Sequence, residues 1–504
     1  MANIWAKKSL SQLMNDATAE KSGLKRSLGR VNLLMLGIGG IIGAGIFALS
    51  GTAAANYAGP AVTYSFIIAG FACAFAGLCY AELASMIPIA GSAYTYAYAT
   101  MGEFIAWIIG WDLILEYLFA CSTVAVGWSG YMVSFIESVS VSISEKFPEI
   151  FSPIKIPAII SQSPLKFDAA AGSFETTGAI INLPAVLIVL LLSAILYRGV
   201  QASATFNNAI VIIKITVIAL FIIFGLQYIN LDNLTPYVVP YTETINAKNE
   251  VVGQFGWSGI FRASGVIFFS YIGFDSVSTA AQEAKNPQKD MPFGILGSLV
   301  VCTIIYIIFA TVMTGMVSYK ELNVPAPVAV AIDSAGQSLA WLSPLVKIGA
   351  IAGLSSVILI MALAQSRIFY TMSNDGLLPK FLGKIHPKHK TPYIATIITG
   401  VVAATIAGLF PIDLLGELVS IGTLLAFAIV CAGVLVLRYK QPNIERPFKS
   451  PFFPVVPILG ILSSIGVMAS LPGDTWIRLI VWMALGLVIY FVYGFKNSKI
   501  NKID

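Results

Sequence analysis

A glycine-rich stretch inside the first apolar run most constrains what this chain can fold into. Residues 37–47 are Gly-Ile-Gly-Gly-Ile-Ile-Gly-Ala-Gly-Ile-Phe, and the run around them, Val31 to Tyr57, is otherwise long enough to cross a membrane. Each glycine destabilises a helix interior by roughly 1 kcal/mol relative to alanine. Unwound backbone in hydrocarbon must be buried in protein or line a polar cavity. We therefore expect two half-helices, Val31 to Gly40 and Ile46 to Tyr57, that meet near the midplane.

Secondary transporters use such breaks to hold an anionic substrate group and a coupling cation. Two alternatives stay open at this point. Gly39 and Gly43 are four residues apart, a spacing that also suits close packing of a neighbouring helix. Gly43, Gly45 and Ala48 fit a dinucleotide-binding fingerprint by spacing, but no soluble strand precedes them. Our first hypothesis is a carrier whose substrate binds at the break.

Composition identifies an integral membrane protein. Of 504 residues, 57% are hydrophobic and only 11% are charged, about half the charged share of an ordinary soluble domain. The five cysteines all fall in apolar runs, so we expect small buried side chains and neither a disulfide framework nor a metal site. No cofactor is expected. The first 30 residues are polar and show no cleavable signal peptide.

Twelve apolar runs are long enough to span a bilayer. By position, 21 of the 30 Lys and Arg residues lie in the N-terminal segment, the even-numbered connections and the C-terminal tail, and eight lie on the opposite side. This bias predicts a plasma-membrane protein with both termini in the cytoplasm and residues 1–30 as a cytoplasmic segment. The runs begin near Val31, Pro60, Glu103, Ile181, Phe206, Trp257, Met291, Pro344, Pro392, Ile412, Val455 and Trp476.

A second interruption is predicted in the sixth run. The stretch from Phe268 to Ser276 places Gly273 and Asp275 at mid-depth. If spans one and six are both broken, residues 31–228 and 257–437 form two five-span units of opposite topology. Matched interruptions in such inverted repeats mark a transporter's binding site. Residues 455–495 then supply two further spans.

Several stretches in this order resemble the amino acid-polyamine-organocation transporters, and within them the bacterial relatives of the cationic amino acid transporters. The resemblance implies an all-α membrane protein with the LeuT-type fold, two inverted five-helix repeats plus two C-terminal helices. It also implies amino acid transport coupled to protons or to exchange. The matching stretches are Gly37 to Phe47, Tyr80 to Leu83 through Pro88, Gly91 and Tyr94, Gly110 to Asp112 through Tyr117, Tyr271 to Pro287, Gln365 to Pro379, and Ser420 to Leu424.

The resemblance also assigns substrate-binding residues at the two breaks. In relatives, the unwound segments hold the substrate's carboxylate and amino groups. Free N–H groups at the start of a half-helix favour a carboxylate, and exposed carbonyls favour an ammonium group. Relatives often carry a hydroxyl residue where Ala44 stands, so here the backbone must suffice. The matching residues are Ile41, Gly43, Ala44 and Gly45 in the first span, and Phe269, Ser270 and Ile272 in the sixth.

Lys214 lies in the middle of the fifth span, where a lysine is a candidate functional residue. In sodium-independent family members, a lysine at the matching position bridges the broken first helix to hydroxyls of the eighth, which correspond here to Ser355 and Ser356. Burial disfavours the charged form of a lysine. Two interpretations follow: Lys214 loads and releases a proton during transport, or it is a permanently charged strut.

Two acidic residues near the midplane are further candidates. Asp275 either caps the second half of the sixth helix or attracts a cationic group of the substrate. Glu116 resembles a family acid beside the substrate cavity, or it is a buried partner of a polar group. Glu82, Asp112 and Glu283 lie nearer the span ends, which favours gates or structural salt bridges.

We therefore expect a proton-coupled importer of L-amino acids that works by alternating access. Cationic substrates (arginine, lysine, ornithine) and small neutral ones both remain open, and a sodium-independent exchanger is the alternative mode. A transport-inactive sensor or an intramembrane enzyme is the rival class, but the chain has no H-E-x-x-H motif that would indicate an enzyme. An ATP-driven pump is disfavoured because there is no G-x-x-x-x-G-K-[ST] loop. Protons and membrane lipids are the expected partners, nucleic acid is not, and a small membrane subunit is left open.

Overall fold

The protein is described from a computed structural model that covers residues 4–8, 28–87, 89, 92–168, 173–245, 251–324 and 326–502. Most of the N-terminal segment 1–30, and also Pro88 and Gly91, lie outside these ranges. The α-helices of five or more residues are Arg30–Ile41, Val62–Met86, Ser92–Thr100, Glu103–Lys146, Leu183–Arg198, Val200–Gly225, Gly256–Ile267, Pro287–Met316, Pro327–Asp333, Leu342–Asn374, Tyr393–Leu409, Ile412–Lys440, Val455–Ala469 and Gly473–Ile489.

The number of spans agrees with the sequence prediction. The described residues contain eight helical stretches long and apolar enough to cross a membrane, and three shorter apolar helices. The first stretch, Arg30–Met86, holds two spans, separated at Gly59, which has a positive φ of 61°. The described residues thus form an all-α membrane protein with twelve spans, numbered one to twelve below in chain order.

Spans one and six are both interrupted where the glycines predict. The first α-helix ends at Ile41, Ile42 is extended (φ −75°, ψ 101°), and the chain resumes as a π-helical turn over Gly45–Leu49. Span six changes from an α-helix to a 3-10 turn, Phe268–Tyr271. After Gly273 it continues as a second 3-10 segment, Asp275–Glu283. Gly273 has a φ of 122°, a conformation that glycine adopts without strain.

The two interruptions pack directly against each other. A Cβ atom at Gly273 would lie 2.6 Å from the carbonyl carbon of Gly40, and one at Gly45 would overlap Ser270. Only glycine permits this approach of the two backbones. Close packing of a neighbouring helix, the alternative explanation for these glycines, is observed as well. A Cβ atom at Gly43 would lie 2.7 Å from Val357 of span eight.

Two antiparallel hairpins lie between the spans. Leu165–Asp168 pairs with Ser173–Thr176, and Thr242–Ile245 pairs with Val251–Gln254. We call the end of the bundle that carries them the hairpin end. The opposite end, which we call the terminal end, holds both ends of the described chain, because residues 4–8 and 490–501 contact Glu103 together.

Candidate functional site

A small cavity lies between the two breaks. Its volume is about 10 Å³, and we call it the central cavity. Six of the nine residues predicted to bind substrate line it, and residues from spans three and eight, which the sequence did not single out, complete it. The lining residues are Gly40, Ile41, Gly43, Ala44, Gly45, Ala120, Val124, Phe269, Ile272, Val357 and Met361.

The central cavity is closed in this conformation. A water molecule needs roughly 10–15 Å³, so an amino acid enters only if the lining side chains move. Met361 is unbranched and adapts readily to a changed cavity, and Phe269 lies on the 3-10 turn between the two halves of span six. Every side chain in the lining is apolar.

Backbone groups supply polarity beside this cavity. The N–H groups of Gly43 and Ala44 have no hydrogen-bond acceptor among the described residues. Ser270 Oγ is buried and likewise lacks a partner in the part of the chain that the structure describes. The freed carbonyl of Ile41 instead lies 2.8 Å from the hydroxyl of Tyr306, which is also 2.8 Å from Ser270 O. Tyr306 bridges the two breaks, and nothing in its local sequence pointed to it.

Lys214 holds the first break to span eight. Its ammonium group donates to Gly39 O (2.8 Å), to Ile42 O (2.9 Å) and to Ser356 Oγ (3.1 Å), and the side chain is fully buried. Ser356 Oγ also lies 3.0 Å from Gly39 O. All three N–H donors of the lysine thus face neutral oxygen atoms, and no carboxylate among the described residues lies within 4 Å of it.

The pairing of Ser355 with Lys214 is not observed. Ser355 Oγ donates to Ile351 O at 2.8 Å and accepts from Trp128 Nε1 at 2.9 Å. Neighbouring residues on a helix point about 100° apart, so only one of two consecutive serines can face Lys214. The structure places Ser356 there and turns Ser355 towards span three.

The two predicted acids lie near the breaks but outside the cavity lining. Asp275 accepts from the hydroxyl of Tyr117 (2.5 Å) and from the N–H of Gly273 (3.2 Å), two residues before it, so its carboxylate is tied to the break itself. The expected cap on the second half of span six is not observed, because the segment Asp275–Glu283 has no side-chain cap. Glu116 lies beside Asp275 and Thr423. Neither acid lines the central cavity in this conformation.

The remaining acids divide into paired and unpaired groups. Glu82 forms an ion pair with Arg438 at 2.5 Å, and Glu283 forms a buried one with Arg367. The salt bridge expected for Asp112 is not observed. The side chain of Asp112 is fully buried against Gly422, and no hydrogen-bond donor among the described residues reaches its carboxylate. Its position near the start of span three suggested a span end, but the segments packed around it leave it inside the protein.

The two ends of the bundle differ. A cavity of about 770 Å³, which we call the vestibule, opens at the hairpin end. Ala48 lines the vestibule one helical turn beyond Ala44, which lines the central cavity. At the terminal end, Lys8 forms an ion pair with Asp375 and Arg367 forms one with Glu283. A wide cavity thus lies on one side of the breaks, and two ion pairs, which we call the terminal seal, lie on the other.

Residues 4–8 contribute to this seal. The N–H groups of Glu103 and Phe104 donate to Ala6 O and Ile4 O at 3.0 Å, and Lys7 donates to Thr100 O. Burial lowers the pKa of Lys7, and repulsion from Lys440 lowers it further. Glu103 accepts in addition from Tyr98, Tyr490 and Ser498.

Comparison with known proteins identifies the family, whose members carry different substrates. Residues 28–497 match the sequence model of a protein family that is described as amino acid permease. The chain is 44% identical to the branched-chain amino acid permease BcaP of Bacillus subtilis over 99% of both chains. It is also 44% identical to the methylthioribose transporter of the same organism over the full length of both chains. A vacuolar cationic amino acid transporter 4 of Arabidopsis thaliana is 36% identical over 83% of this chain and 64% of its own.

Proposed function

Because this chain belongs to the amino acid permease family, we propose that it is a secondary transporter that imports a neutral L-amino acid with an apolar side chain, driven by protons. The observation that carries the substrate class is the lining of the central cavity, in which no side chain is charged. A cationic side chain there would lose its water without gaining a countercharge, which is costly. The similarity to a branched-chain amino acid permease supports the same class.

The substrate's charged ends would be held by backbone. The N–H groups of Gly43 and Ala44 would receive the carboxylate, since they lie at the start of a half-helix and have no acceptor in the described part of the chain. Ser270 Oγ and the carbonyl of Ile41 would receive the ammonium group. For the carbonyl to do so, the hydroxyl of Tyr306 must turn towards Ser270 O, which it already approaches.

Lys214 is proposed to carry the coupling proton. Its partners are two carbonyls and a hydroxyl, so loss of the proton leaves no buried carboxylate without a countercharge. A strut would be expected to face a carboxylate, because a buried charge is usually retained by pairing. When Lys214 is neutral, it binds Gly39 O and Ile42 O less strongly, and the first span can separate from span eight.

Transport would then follow from alternating access by two inverted repeats, residues 31–228 and 257–437, with residues 455–495 outside them. If both termini are cytoplasmic, as the charge bias predicts, the vestibule faces the outside of the plasma membrane. The terminal-end ion pairs would break when the transporter opens inwards. Surrounding lipids are expected to contact the apolar outer faces of the spans.

The test is a thermal-shift screen of the twenty L-amino acids on the detergent-solubilised protein, followed by uptake into proteoliposomes. A ligand at 100 times its dissociation constant stabilises the folded state by about 2.7 kcal/mol. We expect leucine, isoleucine or valine to shift the melting temperature and arginine and lysine not to. Uptake against a gradient at acidic external pH would distinguish symport from exchange. If no amino acid binds, the proposed substrate class is wrong.

Methylthioribose is the second candidate substrate. The chain is as similar to a methylthioribose transporter as to the branched-chain permease, and a cavity without charged side chains suits a neutral thioether. This ligand has no carboxylate for the free N–H groups of Gly43 and Ala44. We therefore expect leucine to bind more tightly, and direct competition between the two ligands in the uptake assay decides between them.

A further inference from the structure

The vestibule is lined by charged residues that have no role in the transport steps proposed above. Two acidic and two basic residues line it, and their charges sum to zero. Apolar side chains from three different elements lie between them. The charged residues are Glu137, Lys166, Asp333 and Lys347, and the apolar ones include Val126, Val330 and Ile412.

Lys347 is incompletely paired although its side chain is nearly buried, with 7% exposed. Within the described ranges its ammonium group has one hydrogen bond, a long one of 3.4 Å to Ser134 O. Glu137 and Asp333 lie near enough to attract it, yet no ion pair within 4 Å joins them among the described residues. A buried charge is costly unless it is paired and hydrogen-bonded, so this lysine favours an anionic ligand from the vestibule.

We propose that the vestibule is a second binding site for an amino acid zwitterion, occupied before the substrate reaches the central cavity. This inference rests on the proposed transport of neutral amino acids. The substrate carboxylate would pair with Lys347, and its ammonium group with Glu137 or Asp333. The apolar side chain would lie against Val126 and Val330.

Size and position support this site. A volume of about 770 Å³ lies within the roughly 300–1,000 Å³ of small-molecule sites, whereas the central cavity must expand before it admits any substrate. A net charge of zero with both signs present suits a zwitterion better than an anion or a polycation. The vestibule also ends one helical turn from the central cavity, so a substrate held there is next to the breaks.

Site-directed cysteine labelling can test this, because Cys73, Cys79, Cys121, Cys302 and Cys431 are all buried. The reporter is Val133→Cys, which places a thiol in the vestibule lining. The control is Ile150→Cys, which is exposed near the same end but outside the vestibule. A membrane-impermeant methanethiosulfonate labels each variant in proteoliposomes, with and without L-leucine. The same pair is tested in a Gly43→Val background, where the new side chain obstructs the central cavity against Val357.

We expect L-leucine to slow labelling of Val133→Cys in the Gly43→Val background and to leave Ile150→Cys unaffected. At an L-leucine concentration of about four times its dissociation constant, the rate of thiol labelling should fall about fivefold. Adding Lys347→Gln, and separately Asp333→Asn, should abolish or weaken this protection, with folding verified by the melting temperature.

Two results would overturn the proposal. Protection that disappears with Gly43→Val alone would mean that leucine binds only at the central cavity. Protection that survives both Lys347→Gln and Asp333→Asn would mean that these charges serve another purpose, such as a closing gate. Wild-type uptake is measured in parallel, so a failure of the transport proposal itself would be recognised separately.

Discussion

Among single residues, Lys214 has the contacts that best support a role in coupling transport to protons. Its ammonium group ties two carbonyls of the broken first span to a hydroxyl of span eight. A change of its charge therefore acts directly on the contact between the break and its neighbour. Ser356 belongs to the same group of contacts, and Ser355 does not.

Lys214→Ala should remove the acid stimulation of uptake while leaving exchange of bound substrate measurable. The alanine cannot take up a proton, but the free N–H groups of Gly43 and Ala44 remain. Initial rates in proteoliposomes between pH 5 and pH 8 provide the measurement, and Lys320→Ala, in the connection at the hairpin end, is the control. A variant that keeps the wild-type pH profile would show that the proton is carried elsewhere.

The serine pair offers a matched comparison. Ser356→Ala removes a hydrogen bond to a charged group, a loss of about 1.5–3 kcal/mol, and should weaken the pH dependence of uptake together with thermal stability. Ser355→Ala removes a contact with Trp128 and should leave the pH profile unchanged. Equal pH profiles for the two variants would contradict the assigned role of Ser356.

At the scale of elements, the breaks depend on glycines that allow two backbones to touch. Gly273→Ala should abolish substrate binding, because an alanine there is strained by roughly 1–3 kcal/mol and its Cβ would collide with Gly40. Gly466→Ala is the control, since nothing lies within 4 Å of a Cβ at that position of span eleven. Binding is measured by thermal shift with L-leucine. Normal binding by the Gly273 variant would separate the site from the paired breaks.

The seal at the terminal end joins several elements through Asp375, which contacts Lys8, Tyr94 and the N–H of Lys499. Asp375→Asn should weaken this seal and favour opening at that end. A Ser278→Cys reporter, buried on the terminal side of the second break, should then react faster with a thiol reagent. Glu417→Gln, which removes one partner of Arg478 in a different ion pair, should not change the rate.

The sequence predicted the breaks because consecutive glycines in an apolar run have few structural explanations. It also placed Lys214 and Ser356, through resemblance and depth in the span. It did not predict which of two adjacent serines faces Lys214, since that depends on the rotation of span eight. Tyr306 and Met361 lie far from the breaks in sequence and carry no distinguishing pattern. Asp112 was misjudged because its burial depends on how span three packs against span ten.

At the scale of the whole molecule, the two ends differ in a way that suits alternating access. A vestibule of about 770 Å³ leads to a central cavity of about 10 Å³, and ion pairs involving Asp375 and Arg367 seal the far side. A substrate can therefore approach from one end, but the core must rearrange to admit it. We therefore expect substrate binding and rearrangement of the core to occur together.

A cryo-electron microscopy structure in lipid nanodiscs, with the amino acid that gives the largest thermal shift, would test directly whether the substrate binds between the two breaks. We expect that the first helix still ends at Ile41 and that the ligand carboxylate lies within about 3 Å of the N–H groups of Gly43 or Ala44. Its ammonium group should face Ser270. A continuous helix across residues 37–47, or a ligand bound only away from both breaks, would contradict this expectation.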